Sequence, residues 1–217
     1  MNILAFDTST HTSSVALSIQ AKIKTVSLTT KGHSSDSILE LIHSLLSEAQ
    51  LSLSHIDVIG FGRGPGSFTG LRIAAALAQG LACAYDIPVV PVSTLQTLAQ
   101  TAYTNFQQEH VAVAMDARMN QIYWGIFKLN PQGIMEALTP EAVIYPQLAQ
   151  LENHVWIGVG TGWTEKLAFL QPFLSYCDPQ ALPEASTLAY LTQWYHAQKL
   201  SLPAEKALPI YLRDKVC

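Results

Sequence analysis

Chemistry in this chain must come from a few short stretches. The densest is Gly62-Arg63-Gly64-Pro65-Gly66-Ser67-Phe68-Thr69-Gly70-Leu71-Arg72. It falls between an apolar run and a helical pattern, where backbone N–H groups can cradle an anion. The Walker pattern fails because it requires a Lys that is absent here. The dinucleotide fingerprint fails because Ser67 stands where the third Gly should be. A nucleophile elbow fails because Pro65 and Thr69 flank Ser67 where Gly is required. What remains is a structural turn, Gly64, Pro65, Gly66 and Ser67, that lays a helix close against a sheet.

The second stretch is Asp7-Thr8-Ser9-Thr10. A carboxylate at a strand end followed by small hydroxyl residues is how sugar kinases, actin and Hsp70 chaperones hold Mg-phosphate, normally with a Gly inside the turn. Ser9 occupies that place. Half a chain length later, Asp116-Ala117-Arg118 closes another apolar run and also lacks a Gly. Asp7, Thr8, Ser9 and Asp116 are therefore expected to be vestiges of phosphate turns, with no cofactor bound. Taken singly, each Asp is equally well explained as a capped strand end. The seven histidines form no HxxxH or HxxE pair, so no metal site is expected. Trp163 and Trp194 are expected to be packing residues.

The elements that must position these stretches follow from periodicity. Residues 3–7, 15–19 and 23–28 are predicted strands, and Ile38, Leu41, Ile42, Leu45, Leu46 and Ala49 mark one face of a helix capped by Ser34 or Ser35. A strand over 56–61, a helix over 69–85, a strand over 88–92 and a helix from Ser93 to about Tyr103 complete a first half. The strand–Asp–turn–strand opening then returns at 111–116 and 121–129. A strand at 156–159, a helix over 187–197 and an irregular tail from Leu202 follow. Two copies of one α/β fold are expected, each a mixed sheet flanked by helices, with domains at 1–104 and 105–217 and the tail packing back on the first.

Composition narrows the function classes. Hydrophobic residues make up 49% and charged residues 13%, against about 25% charged in average soluble domains. The net charge is −4, and the 12 Lys and Arg are scattered. Tight nucleic-acid binding rests on clustered cations, so the chain alone is expected to bind RNA weakly. Three cysteines without CxxC spacing argue against a disulfide framework or zinc knuckle and for a reducing compartment. The start carries no basic leader, and the longest apolar run, 73–85, falls short of the roughly 20 residues that span a bilayer. A cytoplasmic protein without a membrane contact is expected.

The helix over 70–85 reads GLRIAAALAQGLACAY, with only Arg72 and Gln79 strongly polar. An outer helix usually keeps a wet face. Its absence points to a partner surface.

At GRGPGSFTGLR the sequence resembles the TsaB (YeaZ) family. NILAFDTST at the start, MDARMNQIYW over 115–124, GVGTGW over 158–163 and PIYLR over 209–213 match in order, with Asn120 where a Gly is common. The resemblance implies tandem ribonuclease H-like domains of the actin, Hsp70 and sugar-kinase type. It implies a non-catalytic subunit for forming threonylcarbamoyladenosine at adenosine 37 of tRNAs that read codons beginning with A. The partners it implies are a second copy of the chain, a TsaD-type catalytic paralogue and a TsaE-type ATPase, with tRNA met only through the complex. The family's contact lies on the first two helices. On the first helix the expected interface takes in Ser35, Ile38, Leu39 and Ile42. On the second it takes in Thr69, Arg72, Ile73, Ala75, Ala76, Gln79, Ala82 and Cys83. Two competing activities are a small-molecule phosphotransferase of the same fold, disfavoured by Ser9 and Ala117, and a peptidase, for which no spaced Ser/His/Asp set is present.

Overall fold

The computed structural model describes residues 1–29 and 35–213. β1 (Asn2–Asp7), β2 (Thr12–Ile19) and β3 (Lys22–Thr29) are antiparallel neighbours, and β4 (Val58–Gly64) and β5 (Val89–Ser93) extend the sheet in parallel from the other side of β1, in the order β3-β2-β1-β4-β5. Ile3, Leu4, Ala5 and Phe6 are all buried, because β1 is central and covered on both faces. A doubly covered strand reads as a continuous apolar run. The register places Leu17, Leu4, Ile59 and Val89 in one row and Val15, Phe6 and Phe61 in the next. On these rows pack α1 (Ser35–Glu48), through Ile38, Ile42 and Leu45, and α2 (Phe68–Cys83), through Ala74, Ala75 and Ala78. Small residues at helical spacing bring the α2 backbone close to the sheet.

The strand predicted over 56–61 begins two residues later and runs to Gly64, and α2 ends at Cys83 rather than Tyr85. Ser34, one of the two expected caps of α1, lies outside the described residues. The β2–β3 connection is a two-residue turn with Gln20 and Ala21 both at positive φ, a twist-matched hairpin turn usually marked by Asn-Gly.

The chain divides elsewhere than expected. One compact unit holds residues 1–94 together with 183–210, and the other holds 95–182 and resumes at Tyr211. The boundary expected at 104/105 therefore moves to 94/95, since α3 (Thr94–Phe106) follows β5 without a loop and buries Leu95, Leu98, Ala99 and Ala102 against the second sheet. α4 (Ala185–Ala197) belongs to the first unit, where it packs against β1, β2, β4 and β5. Gly60 is what admits it: a Cβ there would run into the Thr192 and Leu188 side chains. The tail is fastened to the same unit, as Leu202 and Val89 exchange backbone hydrogen bonds of 2.8 Å and Ile210 N–H donates to the Arg63 carbonyl at 2.8 Å.

In the second unit β6 (His110–Asp116) pairs antiparallel with β7 (Ile122–Leu129), and β7 pairs with β8 (Met135–Ala137) and β9 (Ala142–Ile144). On the other side of β6, β10 (Trp156–Val159) and β11 (Leu174–Asp178) run parallel to it. α3 covers one face. Trp124, Trp156 and Trp163 fill the other, beside a 3-10 stretch over Glu165–Phe173 that contributes Leu167 and Leu170. Trp163 is a packing residue as expected, its indole N–H donating to the Ala112 carbonyl at 3.3 Å. Both units are thus mixed sheets flanked by helices, the α/β class expected.

Two buried glutamines of α3 hold the β8 edge. Gln100 Nε2 donates to the Gly133 carbonyl at 3.0 Å, Gln100 Oε1 accepts from Met135 N–H at 2.8 Å, and Gln96 Nε2 donates to the Met135 carbonyl at 2.9 Å. Gln100→Leu leaves the Met135 N–H buried without its acceptor, at a cost of about 1–3 kcal/mol. Chemical denaturation is expected to show that loss; unchanged stability would contradict this role.

Candidate functional site: a filled turn and an outward helix face

The β1–β2 turn and the glycine-rich turn before α2 lie against each other. Asp7, Thr8 and Ser9 are each 2% exposed or less. Asp7 Oδ1 accepts from Ser9 N–H at 2.8 Å and from Ser9 Oγ–H at 2.6 Å. The Thr8 hydroxyl donates to the Gly70 carbonyl at 2.6 Å, and Ser67 N–H donates to the Ser9 carbonyl at 2.7 Å. Ser67 also caps α2 through its side chain, which accepts from Gly70 N–H at 3.3 Å. A phosphate turn needs free amides and room for the anion. Here the Ser9 amide is spent on Asp7 and the Ser67 amide on Ser9, and the start of α2 lies against the turn.

The two glycines facing this turn are needed for close approach. A Cβ at Gly66 would stand 2.5 Å from the Ser9 carbonyl oxygen, and one at Gly70 would overlap the Thr8 carbonyl oxygen. Gly64, Pro65, Gly66 and Ser67 carry the chain from β4 into α2, and the Gly64–Pro65 peptide is cis.

Asp7 is the unusual group. Its Oδ2 is buried without a hydrogen-bond partner, and burial raises its pKa from 3.8 to about 6, against the lowering effect of the Ser9 hydrogen bonds. Asp116 differs. It is exposed, its Oδ1 accepts from Arg118 N–H at 2.8 Å, and its own N–H donates to the Thr161 hydroxyl at 3.2 Å. Among the described residues no group of three His, Cys, Asp or Glu could hold a metal ion. No helix among them is long and apolar enough to cross a membrane.

α2 has a definite outer side. Phe68, Thr69, Arg72, Ala76, Gly80 and Cys83 are exposed, and Ile73 and Leu77 are half-buried. With Ser35 at the start of α1, residues Phe68, Thr69, Arg72, Ile73, Ala76 and Leu77 line an open groove of about 480 Å³. The Arg72 guanidinium lies 3.7 Å over the Phe68 ring, covering apolar surface while keeping its charge in water. Leu39 of α1 is 40% exposed.

Four residues expected at the interface are corrected by this geometry. Ile38, Ile42, Ala75 and Ala82 are 5% exposed or less and belong to the core under the two helices, because their spacing places them on the sheet-facing side. Gln79 is half-buried and donates to the Ala207 carbonyl of the tail at 3.0 Å. Ser35, Leu39, Thr69, Arg72, Ile73, Ala76 and Cys83 keep outward positions.

Comparison with known proteins decides the family. The chain is 37% identical to the tRNA threonylcarbamoyladenosine biosynthesis protein TsaB of Haemophilus influenzae, over 100% of this chain and 95% of that protein. The chain belongs to the TsaB (YeaZ) family. The Escherichia coli TsaB is 34% identical over 100% of this chain and 96% of its own length. The crystal structure of YeaZ from Pseudomonas aeruginosa superposes with a TM-score of 0.88 at 39% identity, covering 97% of this chain and 99% of that one. The family model described as TsaD, tRNA N6-adenosine threonylcarbamoyltransferase, matches residues 25–162, so the TsaB-family chain shares its domain type with a transferase.

Three of the stretches that identified the TsaB family meet at one end of the second sheet. Gly162 N–H donates to the Ala114 carbonyl at 2.8 Å, and Arg213 Nη2 donates to Gln121 Oε1 at 2.6 Å. Residues 161–166 were not singled out as a site from sequence, because no pattern in them announces one.

Asp7 makes a pH dependence. Its folded pKa lies above the unfolded one, so its contribution to stability is complete below about pH 4 and is lost as pH rises through about 6. The shift corresponds to about 3 kcal/mol. Asp7→Asn keeps a neutral group with an Oδ1 acceptor for Ser9. Thermal melts from pH 4 to 7.5 are expected to fall more steeply for the native chain than for this variant; parallel curves would refute the assignment. Gly70→Ala is expected to destabilise by more than the few tenths of a kcal/mol typical of surface changes. A melting temperature at or above the native value would show that α2 does not sit this close to Thr8.

Proposed function

We propose that this chain is a non-catalytic subunit in threonylcarbamoyladenosine formation at adenosine 37 of tRNAs reading codons that begin with A. It serves as the dimerisation partner of a TsaD-type threonylcarbamoyltransferase, alongside a TsaE-type ATPase. It also pairs with a second copy of itself, and it meets tRNA through the complex. The observation that carries the reading is the outward face of α2, a largely apolar groove with Ser35 of α1 in its lining and no carboxylate among the described residues that line it. Such a face marks an interaction site, and its small residue Ala76 permits close approach of a second helix.

Support for the non-catalytic part comes from the β1–β2 turn, where the Ser9 amide is taken by Asp7 Oδ1 and the Ser67 amide by the Ser9 carbonyl. A solved Pseudomonas aeruginosa relative is described as having similarity to peptidase YEAZ. Ser–His hydrogen bonds do occur here, between Ser52 Oγ and His55 Nδ1 at 2.8 Å and between His196 Nδ1 and Ser201 Oγ at 2.7 Å. Both are local contacts at helix ends, and neither ring is hydrogen-bonded to a carboxylate among the described residues. A nucleophile–base pair lacking its orienting third group gives little support to a peptidase.

The groove separates two kinds of substitution. Ala76→Glu places an unpaired charge in the contact while leaving the fold intact. Burying it costs several kcal/mol, so assembly falls by at least about tenfold. Ala75→Glu places the same charge in the core and lowers the melting temperature. Light scattering after gel filtration, with purified TsaD-type and TsaE-type partners and a tRNA modification assay, is the test. The expected result is loss of complex and of modification with folded Ala76→Glu. Full assembly and modification with that variant would overturn the docking role.

A further inference from the structure

The second unit carries a polar cavity to which the proposed docking role assigns nothing. It has a volume of about 350 Å³ and lies between the β6–β7 connection and the turn after β10, with Asp116, Arg118, Asn120, Thr161, Thr164 and Lys166 among its lining. Arg118, Lys128, Lys166 and Arg213 are the cations in the described part of this unit. Arg118 and Lys166 line the cavity, and Arg213, not itself in the lining, is bonded to two residues that are, to Gln121 and to the Met119 sulfur at 3.5 Å. The same unit carries acidic residues spread over its surface, so the clustering is not a consequence of an excess of cations.

What holds these cations separates a binding site from an ordinary ion-pair cluster. Lys166 Nζ donates to Asn120 Oδ1 at 2.8 Å, and Arg213 Nη2 to Gln121 Oε1. Both acceptors are neutral amides. They orient the two side chains without cancelling either charge. Among the described residues only Arg118 meets a carboxylate, Asp116 Oδ2 at 3.4 Å, and that pair is solvent-exposed, where pairing is weak. Glu165 precedes Lys166 in the chain but does not line the cavity. The Arg118, Met119 and Asn120 backbones all take the left-handed conformation, with φ of 62°, 52° and 57°. Such conformations are unfavourable for residues with a Cβ and concentrate at functional sites. Cations oriented by neutral amides beside a polar hollow are what a phosphate oxygen requires.

We propose that this cavity, although it opens at the Asp116 turn expected from the sequence to be vestigial, binds a phosphate group, held by Lys166 with Arg118 also in the lining and Arg213 next to it. The group comes either from a polynucleotide backbone or from a free pyrophosphate-bearing molecule. With a net charge of −4, binding by the isolated chain is weak and salt-sensitive. The site does not rest on the α2 face, and it survives if that docking surface proves wrong.

Amide-resolved NMR titration of the full chain reads weak binding directly. One arm uses inorganic pyrophosphate and the other a single-stranded RNA tetranucleotide. Saturable shifts confined to residues 116–121 and 161–166 are expected with pyrophosphate, and with the tetranucleotide as well if the source is a backbone. Lys166→Gln with Arg213→Gln is expected to weaken binding at least about tenfold, and Lys166→Gln alone to weaken it less. Lys199→Gln with Lys206→Gln removes the same charge from exposed positions of the first unit and is expected to leave binding within about twofold. Absent shifts, shifts scattered over the surface, or equal losses in the two double variants would overturn the proposal.

Discussion

The contact on which the first unit depends is the approach of α2 to the turn after β1. Gly70 lies against the Thr8 carbonyl and Gly66 against the Ser9 carbonyl, and the hydrogen bonds of Thr8 and Ser67 tie the two turns together. This approach fixes the height and rotation of α2 over the sheet. The rotation sends Ala74, Ala75, Ala78 and Ala82 inward and Arg72, Ala76 and Cys83 outward. Tying the two turns together and orienting the helix face are therefore one structural event.

A buried carboxylate survives inside that contact. Asp7 keeps Ser9 in place through Oδ1 while Oδ2 goes without a partner. An unpaired buried charge is unfavourable, which is why the group titrates high. The arrangement stabilises the turn through one oxygen and strains it through the other.

Much of the first unit was legible in the sequence. β1 is an apolar run that ends at a carboxylate, and β4 is one that ends in the Gly-rich stretch leading into α2. The sidedness of α2 was not legible. With alanines on nearly every side, the narrow polar stripe of Arg72 and Gln79 marks solvent too weakly to separate Ala75 and Ala82 from Ala76. Only the packing over Phe6 and Phe61 tells them apart. The return of α4 to the first sheet was equally hidden, because what admits it is the missing side chain of Gly60, 132 residues before Thr192. In the second unit β8, β9 and β11 are short edge strands of three to five residues, too brief for alternation to show. The cation cluster at Arg118, Lys166 and Arg213 is assembled from three distant stretches, and the sequence shows only isolated charges.

Hydrogen–deuterium exchange of the chain alone and with a TsaD-type partner bears most directly on the claim that seating α2 on the Asp7 turn frees its outer face for docking. Slower exchange is expected in peptides covering residues 68–83 and the first turns of α1, with β3 and α4 unchanged. Protection confined to other surfaces, with 68–83 exchanging as in the free chain, would contradict the account.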